Sequence, residues 1–234
     1  MLNETILLKI KERINKLDSQ DYTNIECWIL TEAFNKAQVS WCRRQLVGTN
    51  ILKQGDEQSK RRVDDLQVLL VDIPQNLTKF PVYYESTSIP ADYFEYKHIE
   101  AEAVNSSCST PRRMILYQTE EVNVPILLRD EHKKPSFEWG ETFVTLIGNK
   151  ARIYTNGEFD ISSSKIMYYR QPRRIEITGC QNPYTLQTPT TDVLSEFKDD
   201  ITEVMIDEAV KILSGDIESG IQKGIAEQSV EKNN

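Results

Sequence analysis

Phe143-Val144-Thr145-Leu146-Ile147-Gly148-Asn149-Lys150-Ala151-Arg152-Ile153-Tyr154 is two β-favouring runs joined by a turn. Gly148-Asn149 suits the positive φ angles that a two-residue hairpin needs, so the stretch predicts antiparallel strands over 143–147 and 151–154. Working outward, a second turn at Asn156-Gly157 is followed by β-favouring runs at 165–169 and, after Pro172, at 173–177. On the other side lie strand-like runs at 114–117, 94–104, 80–85 and 68–73, the last ended by Pro74. Pro74-Gln75-Asn76 reads as a turn, and Ser106-Ser107-Cys108-Ser109-Thr110-Pro111 and Lys133-Lys134-Pro135 read as loops by composition. Residues 120–128 fit either a short helix or a strand edge broken by Pro125. The stretch 67–178 is therefore a β-rich unit.

Both ends change period. Leu2, Ile6, Leu7, Ile10, Ile14 and Leu17 recur at three- and four-residue steps, the signature of one helical face. Thr23-Asn24-Ile25-Glu26 matches a capping box, opening a second helix to about Leu46, with Gly48 as its terminator. Its buried side is expected to be Ile25, Trp28, Ile29, Ala33, Phe34, Ala37 and Trp41. Pro189-Thr190-Thr191-Asp192 reads as the start of a C-terminal helix carrying Leu194, Phe197, Ile201, Val204, Met205, Ala209 and Ile212. Each helix has one apolar stripe to hide, so Trp28, Phe34, Leu194, Phe197 and Ile201 are expected to pack together. The fold class is α+β: residues 1–66 and 190–215 form a helical part, 67–178 is inserted between them, and 216–234 is a flexible or docking tail.

The chain has 234 residues, with 36 acidic against 28 basic side chains and a net charge of −8. That balance argues against a protein that grips nucleic acid phosphates. No apolar run approaches the roughly 20 residues of a membrane span, and Glu4 and Lys9 interrupt any signal-peptide layout, so no membrane partner is expected. The four cysteines, Cys27, Cys42, Cys108 and Cys180, lack metal-ligand spacing and read as reduced thiols, with Cys27 and Cys42 serving as small hydrophobes. His98 and His132 are isolated. No metal site or cofactor is expected.

Phosphate-binding loops, nucleophile elbows and zincin motifs are all missing, so no catalytic residue is assigned. Asp199-Asp200 and Asp207-Glu208 read as a solvated acidic face, because no His or Lys completes a site around them. Arg43-Arg44, Arg61-Arg62, Arg112-Arg113, Lys133-Lys134 and Arg173-Arg174 read as surface charge, or as counter-charges for an acidic neighbouring subunit or DNA backbone. The ten tyrosines suit sheet packing or subunit contacts better than base stacking.

The run Tyr168-Tyr169-Arg170-Gln171-Pro172-Arg173-Arg174-Ile175-Glu176-Ile177, then a polar spacer and the acidic amphipathic run from Leu194 to Val210, resembles the virion ring proteins of crAss-like bacteriophages. More broadly it is similar to head-to-tail adaptors of short-tailed phages. The resemblance covers the order of parts along the whole chain and is sharpest over 168–213. It implies a non-enzymatic subunit of a homo-oligomeric, twelve-fold ring, made in the host cytoplasm and placed at the portal–tail junction of the virion. Portal, ring and tail proteins would be its partners, and genome DNA would pass through the channel without sequence-specific binding. Arg173, Arg174, Arg112, Arg113, Tyr168 and Tyr169 are the expected interface residues. A tail-tube or head-closure protein is the alternative within the class. Outside it, the alternative is a cytosolic enzyme or regulatory factor using His98, Glu100, Asp199 and Asp200.

Overall fold

The computed structural model describes residues 1–15, 25–47, 65–106 and 108–216. The chain divides into a helical unit, Met1–Leu69 with Pro172–Asn234, and a β unit, Leu70–Gln171. The helices are α1 (Asn3–Asn15), α2 (Cys27–Val47) and α4 (Asp199–Asp216), α3 being the short helix Val124–Leu127 of the β unit.

In the helical unit Ile6, Ile10 and Ile14 of α1 are buried, as their four-residue spacing demands. From α2 come Leu30, Ala33, Phe34, Ala37, Trp41 and Cys42. Helix α4 packs against both α1 and α2. A helix with two neighbours needs a wider apolar stripe, and Ile206, Val210 and Leu213 are buried beside the expected Ile201, Met205 and Ala209. Phe197 lies edge-on to Trp41, ring centroids 5.5 Å apart.

Two members of the expected cluster sit elsewhere. Leu194 is 46% exposed, because α4 begins at Asp199 and not near Asp192. The Asp192 carboxylate, at the end of the expected start signal, accepts the backbone N–H and the hydroxyl of Thr178 and opens no helix. Trp28 is half-buried and meets Tyr184 edge-on. The cysteine reading is also corrected. Cys27 and Cys180 form a disulfide across 153 residues of sequence, Cα atoms 6.0 Å apart, a pairing that sequence spacing could not reveal. Cys42 is free and buried, and burial pushes its thiol up to about 12, which leaves it inert at neutral pH. Leu17, Thr23, Asn24, Gly48, Arg61, Arg62 and the tail after Asp216 lie outside the described residues.

The β unit is one mixed, curled sheet in the order β1-β8-β4-β5-β6-β7-β3-β2. The strands are β1 (Leu70–Pro74), β2 (Leu77–Lys79), β3 (Tyr83–Ser86), β4 (Tyr93–Asn105), β5 (Cys108–Gln118), β6 (Glu141–Ile147), β7 (Lys150–Tyr154) and β8 (Asp160–Arg170). Gly148 and Asn149 take φ of 52° and 66°, as the hairpin between β6 and β7 requires. Strand β1 lies antiparallel to β8, with Leu70 opposite Tyr169. Among the described residues only β5 and β6 pair in parallel, which demands a long crossover. Residues 119–140 supply it, and the ambiguous 120–128 is a 3₁₀ turn (Glu121–Asn123) followed by α3.

Alternation sets the core. Ile99, Ala101 and Ala103 of β4 and Met114 and Leu116 of β5 point inward against Val144, Ile153, Ile166 and Tyr168. The crossover covers the other face of β6 and β7, where Val124 packs on Phe143 and Tyr154. Glu121 ties it down, accepting the hydroxyls of Thr145 and Tyr154.

Two sequence readings fail here. Residues 108–111, read as loop, begin β5. Pro111 is tolerated because β6 pairs with β5 only from Ile115 onward, leaving this half of the strand without that neighbour. Residues 173–177 are not a strand of the sheet. They run extended in the helical unit, joined to Val193 by a single bridge at Glu176. Asn35 on α2 both accepts the Ile175 N–H and donates to its carbonyl, replacing the partners a sheet would give.

Phe197→Ala should cost about 3–5 kcal/mol by chemical denaturation, since it empties a buried site against Trp41. Leu194→Ala should change stability by less than about 0.5 kcal/mol. Equal effects would contradict this division of the helical core.

Candidate functional site

Asp199 and Asp200 are exposed, as expected of a solvated face, whereas Asp207 and Glu208 join Glu203 in an ion-pair seam. Glu203 pairs with Lys9 and Arg13 of α1, and Arg13 also reaches Asp207. Glu208 is buried and pairs with Arg44 of α2 at 3.1 Å, and Ser40 donates to it as well. Asp199 receives the amino group of Met1. The sequence reading missed this because the counter-charges sit about 165 to 195 residues away, on the polar sides of other helices. Burial alone would raise the Glu203 carboxyl, but the bonds from Lys9 and Arg13 outweigh it and hold the group below its ordinary range.

The expected interface residues are scattered in role. Arg112 donates to the carbonyls of Phe137 (3.1 Å) and Glu138 (2.8 Å). Its guanidinium lies so near Gly140, which has φ +70°, that an added Cβ would come within 3.1 Å. Arg113 pairs with Glu100, Arg174 with Glu32, and Arg173 with Glu196 at 3.8 Å. All three of these guanidinium groups keep most of their surface in solvent. Tyr168 and Tyr169 are buried in the β unit, and Tyr168 donates to Asp92, so neither presents a docking surface. Lys134 reaches Glu158 at 3.7 Å.

His98 and Glu100 belong to the β unit, Asp199 and Asp200 to the helical unit. The first two lie on β4 and the others on α4, and Glu100 and Asp199 already have ion-pair partners. Among the described residues no three His, Cys, Asp or Glu side chains converge as metal ligands. No described helix is long and apolar enough to cross a membrane.

Each unit carries a concavity among its described residues. One, of about 740 Å³, lies in the β unit between the end of β5, the start of β6 and the crossover, with Tyr117, His132, Trp139 and Phe143 in its walls. Trp139 is 77% exposed and Tyr117 54%. Ile115 shares the outward face of β5 with Tyr117, because Met114 and Leu116 alternate with them into the core. Val122 and Ile126 stand exposed on the crossover. The uninterrupted apolar run Met114-Ile115-Leu116-Tyr117 was the available sequence signal, since a strand wet on one face should alternate; nothing in the sequence marked Trp139. The other concavity, of about 670 Å³, lies in the helical unit between α2 and residues 174–191, with Trp28, Glu32, Arg174 and Cys180 in its walls.

No protein-family model matches the chain, and comparison with curated proteins gives no match.

Because the folded state holds Glu203 ionised below its ordinary range, the seam stabilises fully above the unfolded carboxyl value of about 4.3. That contribution is lost as pH falls through the lower folded value. Stability measured from pH 6 to pH 3 should therefore drop more steeply in the native chain than in Lys9→Met with Arg13→Met; parallel curves would refute the seam. Arg44→Met alone should cost about 3–5 kcal/mol by stranding Glu208, and adding Glu208→Leu should recover most of it.

Proposed function

We propose that this chain is a non-enzymatic structural subunit of a virion, one copy of a homo-oligomeric ring at the portal–tail junction. The observation that carries the reading is the large apolar side chains left in solvent on the β unit: Ile115, Tyr117, Val122, Ile126 and Trp139. Exposed aromatic and aliphatic groups of this size favour contact with another protein surface. The resemblance over 168–213 supplies the kind of assembly, a twelve-fold ring beside portal and tail proteins. A ring joins different faces of successive copies, so this face need not be self-complementary.

The charges support the same reading. Glu203, Asp207 and Glu208 of α4 are engaged by cations of the same chain, a structural use of these carboxylates. Arg113, Arg173 and Arg174 keep exposed surface for a neighbouring subunit's carboxylates, each exposed pair worth about 0–1 kcal/mol. A net charge of −8 gives DNA phosphates little to hold, which suits a channel through which the genome slides.

Tyr117→Ala with Trp139→Ala should leave circular dichroism unchanged, since both side chains are exposed. Incorporation into purified particles, or ring formation with the portal, should fall roughly tenfold or more. Arg173→Glu with Arg174→Glu should lower it by a smaller, salt-dependent amount. Normal incorporation of folded variants would remove these residues from the interface, and a monomer that never enters particles would overturn the virion role.

A further inference from the structure

We propose that Cys27–Cys180 is a reversible thiol–disulfide exchange site that latches an exposed lid, residues 177–192, onto α2. The lid is built as a body of its own. Glu176 and Val193 exchange both backbone hydrogen bonds at its base, 3.2 and 2.9 Å. Above that bridge Thr178 is bonded to Asp192, and the Gly179 N–H donates to the Pro189 carbonyl. At the tip Asn182 accepts from Leu186 and Tyr184, and its own N–H donates to Gln187. These bonds close the loop on itself.

Its base is fixed independently of the latch. Asn3 donates to the carbonyls of both Glu176 and Val193, Asn35 grips Ile175 in both directions, and Arg174 pairs with Glu32. Beyond the base the loop is mostly solvent-exposed, with Tyr184 at 81% and Leu186 at 75%. Cys180 is the lid's buried residue, and the disulfide and the edge-on contact of Tyr184 with Trp28 hold it to α2. A loop with much exposed backbone and little buried area opens locally once its tether is cut. Cys180 also lines the 670 Å³ cleft, which gives a reductant its approach.

The step balances with a dithiol as co-reactant. One of its thiolates attacks a bridge sulfur, forming a mixed disulfide and expelling the other cysteine as thiolate; its second thiolate then displaces the remaining protein sulfur. The bridge gains two electrons and two protons, and the dithiol leaves as a disulfide. The lid then pivots about the Glu176–Val193 bridge while α1, α2 and α4 keep their packing.

The test uses the full chain, air-oxidised. Alkylation under denaturing, non-reducing conditions followed by peptide mass spectrometry should give a Cys27–Cys180 cross-linked peptide that dithiothreitol removes. Hydrogen exchange on the folded protein should then show amides of 177–192 exchanging about tenfold faster after reduction, with α1, α2 and α4 unchanged. Cys27→Ser should reproduce that pattern without reductant. The proposal fails if all four cysteines are alkylated before reduction, or if exchange in 177–192 does not change. It fails equally if reduction strips protection from the three helices or Cys27→Ser does not fold, because the bridge would then support the whole unit.

Discussion

The helical unit depends on α4 reaching back to α1 and α2 across nearly the whole chain. The helix must satisfy two demands at once. Its apolar stripe, Ile201, Met205, Ile206, Ala209, Val210 and Leu213, fills the space between the N-terminal helices. Its carboxylates must also meet Lys9, Arg13 and Arg44, because Glu208 is buried and an unpaired charge there would cost several kcal/mol. The close-packed stripe and the ion pairs on its flanks agree on one rotation of α4 about its axis, and with it on the path of residues 172–198 that lead into it.

That path explains why the segment is extended without belonging to a sheet. Ile175 is buried, and its backbone groups would be stranded there without partners. Asn35, itself buried, supplies both a donor and an acceptor from the middle of a helix, where such a residue is otherwise poorly suited. Asn3, at the first position of α1, donates to the carbonyls of Glu176 and Val193. Two asparagines thus replace a neighbouring strand.

Much of this architecture could be read from residue order. The helical faces of Ile6, Ile10 and Ile14, and of Ile201, Met205 and Ala209, follow from spacing alone, as does the Gly148-Asn149 turn. What could not be read was pairing at a distance. Arg13 with Asp207, Arg44 with Glu208 and Cys27 with Cys180 are separated by 153 residues or more, and no local pattern distinguishes such partners from surface charge or free thiols. The start of α4 was misplaced for a related reason: Asp192 has the chemistry of a helix cap but spends it on Thr178. Of the expected interface residues, the tyrosines proved to be core, since a ring on a strand carries no mark of which face it takes.

Leu70 and Tyr169 sit opposite each other in adjacent antiparallel strands. The chain therefore enters and leaves the β unit through neighbouring positions, about 5 Å apart as in any such ladder pair. A module whose two ends nearly touch behaves as a cassette. It can be cut out and bridged by a short turn, or exchanged for another sheet with the same end spacing, while the host helices see the same gap. Helix pairing and the face presented by the sheet are thereby free to diverge separately, one set by internal partners and the other by whatever surface it meets.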